Sequence, residues 1–483
     1  MSVDVLQRRQ QLLAGDENRM AKQHDAGKMT ARERISKLFD ENSFVEIGVF
    51  AGSKKDASSV VTGYGTVEDR PVYVYAQDFT VKSGAMNEEC AKKIVRLMEL
   101  AAKTGAPVVS LCDSNGASLE EGVAALNAYA SVMKETAALS GVVPQVALVL
   151  GPCAGAASFV PEMGDIVIVS EKNGSMFVTG PQIVAAKAGK DISAVDFSAG
   201  KLAKGGAAAI IAKDEDEAIA YARKVLSYLP SNNMEDAPLF SADDLNRQLD
   251  IDAFADAHDA VVRIADFNDY VELNKDYAGN IVTAFARIGG RAVGIVANNP
   301  AVSEGKLCGG ACKKAARFIR LCDCFNLPVV TLVNTIGVAS ADENNNAALM
   351  QEVAKLIFAY GESVSPKISV LCGDAIGAAY AAMGSKANGA DVVFAWPSAF
   401  VAPMDAEAAV RVLKAQEIKD GADVNELIDA YKAENGALNA CECGVCDDVI
   451  EPAATRQMIA SALEMLLGKR EVAYPRKHGN LPL

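Results

Sequence analysis

Short β-branched runs alternate with Ala-rich amphipathic stretches along most of the chain, which predicts α/β layers with a largely parallel sheet. Residues 1 to about 40 read as helical, rich in Arg, Lys, Glu and Gln. Within them Thr30-Ala31-Arg32-Glu33 has the form of a helix start, a capping Thr with a first-turn Glu. From Val60 to Phe79, β-rich runs are broken by a turn at Asp69-Arg70. A helical stretch from Lys93 to Thr104 follows. Next come a strand from Ala106 to Cys112, the turn Asp113-Ser114-Asn115-Gly116, and a second strand from Pro144 into Gly151-Pro152-Cys153-Ala154-Gly155-Ala156-Ala157.

The same order then recurs. Arg291 to Asn299 is β-rich, Lys314 to Phe325 is helical, and Leu327 to Val333 is a strand ending in Asn334-Thr335-Ile336-Gly337. Pro366 leads through Cys372-Gly373-Asp374 into Ala375-Ile376-Gly377-Ala378-Ala379. Arg70 to Arg291, Lys93 to Lys314 and Pro107 to Pro328 are each 221 residues apart, and Gly155 to Gly377 is 222. One slip of a residue across so many elements indicates duplicated domains. The boundary falls in the polar stretch from Leu229 to Asp252, giving domains of 1–240 and 241–483. A charged helical segment from Ala406 to Ala433 and an amphipathic helix after Ile450-Glu451-Pro452 complete the second half.

Composition changes this picture little. A chain of 483 residues, 50% hydrophobic and 23% charged, has ample apolar surface for two cores. A net charge of −15 argues against nucleic acid as a partner, since phosphate binding needs clustered Lys and Arg. No apolar run is long enough to span a membrane, and Met1-Ser2-Val3-Asp4 lacks a signal-peptide layout. The eleven cysteines lie mostly in apolar runs, as Cys112, Cys153, Cys322 and Cys372 do. They are expected to be reduced, buried thiols in a cytoplasmic protein.

The chemistry is constrained by what is missing. His24, His258 and His478 all lie outside the apolar strand-turn-helix segments and read as solvated surface residues, so neither a His-activated nucleophile nor a His-rich metal site is supported. There is no Walker A sequence, Rossmann glycine fingerprint or Ala-Met-Lys-Met biotin-attachment sequence. What remains is the pair of small-residue turns at Gly155-Ala156 and Ala378-Ala379. Two backbone N–H groups at a helix start can form an oxyanion hole, stabilising an enolate without a titrating side chain. Close packing of helix on sheet would equally explain small residues there. Ser114, Asn115, Gly116 and Ala117 are candidates for substrate binding, since ligands bind beyond the C-terminal ends of parallel strands. A simple Asx turn at each strand end is the plain alternative. Cys153, Ala154, Gly337, Ile376, Gly377 and Ala381 complete the candidate set. Cys441-Glu442-Cys443-Gly444-Val445-Cys446 holds three thiols with no evident fourth ligand, and no metal is expected.

Arg32-Glu33-Arg34-Ile35, Ser43-Phe44-Val45-Glu46, Gln77-Asp78-Phe79-Thr80-Val81, Tyr228-Leu229-Pro230-Ser231-Asn232-Asn233, Ala395-Trp396-Pro397 and Asp448-Val449-Ile450-Glu451-Pro452 add a family signature. With them the chain resembles the carboxyltransferase (β) subunits of biotin-dependent acyl-CoA carboxylases of the propionyl-, acetyl- or methylmalonyl-CoA type. It is equally similar to the related subunits of biotin-dependent, sodium-pumping acyl-CoA decarboxylases. The resemblance implies two tandem crotonase-like (ClpP/crotonase) ββα-superhelix domains, the N-terminal one holding acyl-CoA and the C-terminal one holding biotin. It implies biotin delivered on a separate biotin carboxyl carrier protein, with biotin carboxylase or a membrane decarboxylase subunit as a further partner. It also implies a homodimer, in a trimer of dimers, whose active sites are shared between protomers. In such enzymes carboxybiotin releases CO2, the biotin anion takes the α-proton of a CoA thioester, and the enolate attacks CO2.

Three departures stand out. The family usually reads Asp-Ser-Gly-Gly-Ala-Arg where this chain has Asp113-Ser114-Asn115-Gly116-Ala117-Ser118, and Gly-Gly-Ala where it has Gly155-Ala156-Ala157 and Gly377-Ala378-Ala379. The Asp that often follows the Tyr of the second turn is Ala381. Each added methyl is expected to crowd the ligand and to disfavour positive φ. The expected function is carboxyl transfer between carboxybiotin and a short-chain acyl-CoA. The same chemistry run backwards as a decarboxylase subunit is one alternative, and a non-catalytic acyl-CoA-binding scaffold is another.

Overall fold

The computed structural model describes residues 4–51, 57–189, 197–251, 253–339, 346–472, 474–480 and 482. The chain folds as two compact units, Met1–Asp236 and Ala237–Leu483. Unit one begins with helices α1 (Val5–Ala14), α2 (Glu17–Asp25) and α3 (Ala31–Leu38). The predicted start of α3 is a full capping box, with Thr30 accepting from the Glu33 N–H and the Glu33 carboxylate accepting from the Thr30 N–H.

Strands β1 (Val45–Ile47), β2 (Val60–Val67) and β3 (Arg70–Gln77) form an antiparallel edge. The β2–β3 turn sits one residue earlier than expected, at Glu68 and Asp69, which have φ of 52° and 62°. The Asp40 carboxylate accepts from both of their N–H groups and so holds a turn that costs backbone energy in non-glycine residues. Helix α4 (Glu88–Thr104) starts five residues before the predicted stretch because Asn87 caps it through the Cys90 N–H. It stops at Gly105, where φ is 62°. Strand β4 (Val108–Ser114), helix α5 (Val123–Leu139), strand β5 (Gln145–Ala154), helix α6 (Phe159–Met163) and strands β6 (Ile166–Ser170) and β7 (Ser175–Phe177) follow. Helices α7 (Pro181–Ala188) and α8 (Ala199–Lys204), strand β8 (Ile210–Ala212) and helix α9 (Glu215–Tyr228) close the unit. The sheet order is β1-β2-β3-β4-β5-β6-β8, parallel from β3 onward, with β7 pairing the end of β5. Every residue of β4 is buried, as a parallel strand covered on both faces requires.

Unit two repeats this plan. Helix α10 (Ala257–Ile264) precedes strands β9 (Tyr270–Leu273), β10 (Ile281–Ile288) and β11 (Arg291–Asn298), helix α11 (Gly309–Cys324) and strand β12 (Val329–Thr335). Helix α12 (Asn346–Glu362), strand β13 (Lys367–Ile376), helix α13 (Gly377–Ala382) and strands β14 (Val392–Ala395) and β15 (Phe400–Ala402) follow. The order β16-β14-β13-β12-β11-β10-β9, with β15 on β13, mirrors the first sheet once strand β16 (Asp448–Val449) is added. The expected single charged helix is three, α14 (Ala406–Leu413), α15 (Ala415–Lys419) and α16 (Val424–Glu434), broken at Lys414 and at Gly421, where φ is 97°. Helices α17 (Ala437–Glu442) and α18 (Thr455–Leu466) complete the unit. Trp396 is fully buried there, its indole N–H donating to Thr455 Oγ1 at 2.8 Å.

The cysteine expectation needs correction. Cys90, Cys112, Cys153, Cys312, Cys322 and Cys372 are buried thiols, but Cys324 and Cys443 are exposed and Cys441 is joined to Cys446. Five of the six buried thiols lie in strands β4, β5 and β13 and helix α11, where apolar neighbours surround them. Cys441, half-buried, and Cys446, buried, instead lie at either side of the end of helix α17. Among the described residues no helix is long and apolar enough to cross a membrane, and no three His, Cys, Asp or Glu side chains gather as metal ligands.

Candidate active site

The two small-residue turns occupy equivalent places at the ends of β5 and β13. In unit one, β4 and β5 pair in register until a bulge between Cys112 and Ser114, after which Ser114 lies opposite Cys153. Unit two has the same irregularity between Val333 and Thr335, setting Thr335 opposite Ala375. The chain then leaves each strand by a hydroxyl-closed turn. Ser114 Oγ accepts from the Gly116 N–H at 3.0 Å, and Thr335 Oγ1 accepts from the Gly337 N–H at 3.2 Å. The turn is therefore of the Ser/Thr kind and not the Asx turn the Asp and Asn suggested. Gly116 has φ of 100°, and its exit loop is stitched to the preceding segment by Met86 N–H to Gly116 O at 2.9 Å and Ser118 N–H to Met86 O at 2.8 Å. Leu307, Gly337 and Ala339 repeat the stitch at 3.0 Å each.

Gly155 and Gly377 begin the turns proper, with φ of 61° and 63°. Each faces the backbone after the side strand: a β-carbon on Gly155 would lie 3.8 Å from Val178 O, and one on Gly377 would lie 3.2 Å from Pro403 O. Ala156, Ala157, Ala378 and Ala379 do not share the left-handed conformation. The retained glycine is the residue that needs positive φ, so the Gly-to-Ala departures carry no backbone strain. Gly155 to Ser158 form a short 3-10 turn, and Gly377 starts α13. The first N–H groups of such turns have no carbonyl within the turn to bond. Ala154, Gly155 and Ala156 are half-buried, whereas Ala378 and Ala381 lie on the exposed face of α13, with Ala379 beneath them in the core. Asn115 is exposed, Ala117 half-buried and Ser114 fully buried. Ile336 and Ile376 pack in a small apolar cluster with Phe400 and Ala402.

The second turn opens on a cleft of about 460 Å³, lined by Gly377, Ala378, Tyr380, Val401, Ala402 and Pro403. Burial raises the Tyr380 hydroxyl above the ordinary phenol range, keeping it a neutral donor. Cys153, directly before the first turn, is no nucleophile: a hydrogen bond with the Cys112 thiol, then burial, push it well above the thiol range. His24 pairs with Glu33, His258 pairs with Asp256 and Glu272, and His478 is exposed.

Sequence reasoning missed what holds the first strand end. Asp113 is fully buried, and its carboxylate accepts from Lys28 Nζ at 2.7 Å, Arg34 Nη1 at 2.9 Å and Gln23 Nε2 at 3.2 Å. Arg34 in turn binds Glu215 through Nε at 2.9 Å and Nη2 at 2.7 Å. Burial lowers the Lys28 ammonium, with Asp113 pulling it back. Gly151 makes room: a β-carbon there would lie 2.0 Å from Asp113 Oδ1. Unit two keeps the slot but not the charges. Asn334 Oδ1 accepts from the Asp374 N–H at 3.0 Å and Nδ2 donates to Phe254 O at 2.9 Å, with Gly373 in the place of Gly151. The only advance signal was Arg34 on the apolar face of an otherwise polar helix.

Comparison with known proteins identifies the family. Residues 22–481 match the carboxyl transferase domain. The chain is 42% identical to the methylmalonyl-CoA decarboxylase subunit alpha of Propionigenium modestum, over 98% of this chain and 96% of that one. It is 40% identical to the propionyl-CoA carboxylase beta chain of Saccharopolyspora erythraea, over 97% and 93%. The crystal structure of transcarboxylase 12S, a hexamer assembly with methylmalonyl-CoA and methylmalonic acid bound, superposes with a TM-score of 0.95 at 41% identity. That match covers 99% of this chain and 97% of that one, and the fold is the expected pair of crotonase-like domains.

Proposed function

The chain belongs to the carboxyl transferase family, and on that premise we propose that it moves a carboxyl group between carboxybiotin and a short-chain acyl-CoA. The substrate pairs are propionyl-CoA with methylmalonyl-CoA and acetyl-CoA with malonyl-CoA. The observation that carries this reading is the duplicated turn, with left-handed Gly155 and Gly377 at matching strand ends. Two oxyanions need stabilising in such a transfer, the thioester enolate and the ureido oxygen, and each turn supplies a pair of backbone donors for one. Gly155 and Ala156 hold the enolate; Ala378 and Ala379 hold the ureido side. Biotin, when bound, supplies the CO2 and the base that takes the α-proton.

The residues around the turns position and shield. Ser114 fixes Gly116, and Gly116 abuts Ala154, so the strand exit packs directly on the segment that leads into the first turn. Tyr380, Val401, Ala402 and Pro403 offer the ureido side an apolar cleft with one hydroxyl. Asn115, Ala117, Cys153, Ala154, Gly337, Ile376 and Ala381 shape these walls. The first unit is proposed as the acyl-CoA side and the second as the biotin side, each paired with its complement in another copy of the chain. A homodimer, further assembled as a trimer of dimers, satisfies this by closed symmetry; the hexameric relative supports it. A biotin carboxyl carrier protein and either biotin carboxylase or a membrane decarboxylase subunit complete the complex, in the cytoplasm.

The decarboxylase direction is the second reading, favoured by the 42% identity with a decarboxylase subunit. Backbone donors stabilise the same transition state in both directions, so the site serves either. Carboxyl exchange between methylmalonyl-CoA or malonyl-CoA and free biotin tests the shared chemistry. Exchange is expected with either thioester; tight acyl-CoA binding without exchange would establish a scaffold instead.

A further inference from the structure

We propose that Cys441, Cys443 and Cys446 form a thiol–disulfide exchange site for small thiols and dithiols, and that its state sets how firmly α17 is clipped beside the second-turn cleft. The site is built by the end of one short helix. Helix α17 stops at Glu442, the Cys443 N–H donates to Asn439 O at 2.9 Å, and the Gly444 N–H donates to Cys441 O at 2.9 Å. Gly444 takes φ of 73° in open space, and the chain doubles back so that Val445 N–H donates to Ala440 O at 2.8 Å. That reversal brings the Cys446 Cα to 4.7 Å from the Cys441 Cα, and the two sulfurs are bonded. Cys443 is left exposed as a free thiol, in C-x-x-C spacing with Cys446.

A disulfide with a third thiol two residues from one end and three from the other has an internal exchange partner. Cys443 as thiolate attacks Cys446 Sγ, the 441–446 bond breaks, a 443–446 bond forms, and Cys441 leaves as a thiolate that takes up a proton. No electrons are gained or lost. Cys441 is the better leaving group because it is half-exposed, whereas Cys446 is 3% exposed with its sulfur against Ala437 O. An external dithiol then attacks the exposed Cys443 sulfur and closes its own ring. It gives up two electrons and two protons and leaves three protein thiols. The clip matters beyond itself because of what adjoins it. The residue before α17, Gly436, bridges Phe400, and Val401 N–H donates to Asn435 O at 3.0 Å. Val401 and Ala402 are the wall of the cleft. On the other side Asp447 accepts from the Val393 N–H at 2.8 Å and pairs with Lys386. With the clip open, α17 loses its one covalent tie and is held by the buried Ala437 and Ala440 and by these edge bonds.

The test uses the full-length protein equilibrated in air, alkylated in denaturant and mapped by peptide mass. One disulfide within 441–446 is expected, and dithiothreitol should open it at least about tenfold faster in the wild type than in Cys443→Ser. Cys441→Ser should carry its disulfide at 443–446. Hydrogen exchange should show amides 400–402 and 437–442 speeding up on reduction of the wild type, and unchanged by reductant in Cys446→Ser. Three free thiols in the air-equilibrated protein, or equal opening rates in wild type and Cys443→Ser, would overturn the exchange site. Unaltered exchange at 400–402 on reduction would overturn its link to the cleft.

Discussion

Arg34 donates to Asp113 at 2.9 Å, and both side chains are out of reach of water, at 1% and 0% exposure. The pair ties α3 to the strand end that carries Ser114, so the N-terminal helices are part of the frame of the first turn. The same guanidinium also closes on Glu215 and on Leu150 O, leaving little freedom at the β4–β5 exit.

Replacing Arg34 with Met should therefore leave two buried carboxylates, Asp113 and Glu215, without their main cation. Breaking one side of a buried ion network costs about 3–5 kcal/mol. Urea denaturation should show a loss in that range. Arg34→Lys should recover only part of it, since an ammonium cannot reproduce the forked contact with Glu215.

Gly116 and Gly337 both have positive φ, but their surroundings differ. A β-carbon on Gly116 would lie 2.8 Å from Ala154 O, whereas nothing lies within 4 Å of one on Gly337. Gly116→Ala should cost more than the roughly 1–3 kcal/mol of strained backbone alone, and should displace the first turn. Gly337→Ala should show the strain only. Thermal melts of the two variants, run beside carboxyl exchange, check the order; equal losses would contradict it.

The Asp40 carboxyl is held near a pKa of about 2; burial alone would raise it, but the N–H groups of Asp69 and Glu68 and the Arg223 guanidinium outweigh that. A folded pKa below the unfolded value near 3.9 means the stabilisation is present above about pH 4 and is lost as pH falls through about 2. With the side chain 27% exposed, solvent screening reduces the effect to about 1 kcal/mol. Asp40→Asn should flatten stability against pH in the window from pH 4 to pH 2, as read by denaturant midpoints.

Ala156→Val and Ala378→Val should each lower carboxyl exchange by about a hundredfold or more, because the larger side chain fills the oxyanion's place and keeps it off the backbone donors, a loss on the scale of one oxyanion-hole contact. Ala378 is exposed and Ala156 half-buried, so the melting temperature should move little at Ala378 and modestly at Ala156. By contrast, replacing His24, His258 and His478 together with Gln should leave turnover within a few-fold. A collapse of activity in the folded triple variant would contradict catalysis by backbone amides.

If the proposed acyl site is bounded by the Ala154 and Ala156 methyls, size discrimination there is modest, since one methylene in an apolar pocket is worth about 1–3 kcal/mol. Both two- and three-carbon acyl groups should react, differing by roughly ten- to two-hundredfold. A panel in which only a long-chain or glutaconyl-type thioester reacts would contradict the short-chain assignment.

Much of this molecule follows from local pattern. The 221-residue repeat, the Thr30 capping box, the two sheets and the glycines at 155 and 377 are all carried by spacing within a few residues. Backbone propensity and apolar periodicity act over that range whatever the rest of the chain does. The tertiary structure decided what local pattern does not carry. Asp113 meets Lys28, Arg34 and Gln23, which are 79 to 90 residues distant in sequence, and Arg34 reaches Glu215 across 181. A buried charge is stable only where the folded chain brings its counter-charges together, and no short window records that meeting. The same holds for the cysteines: a reversal at Gly444, not their number or spacing, selects Cys446 for Cys441 and leaves Cys443 free.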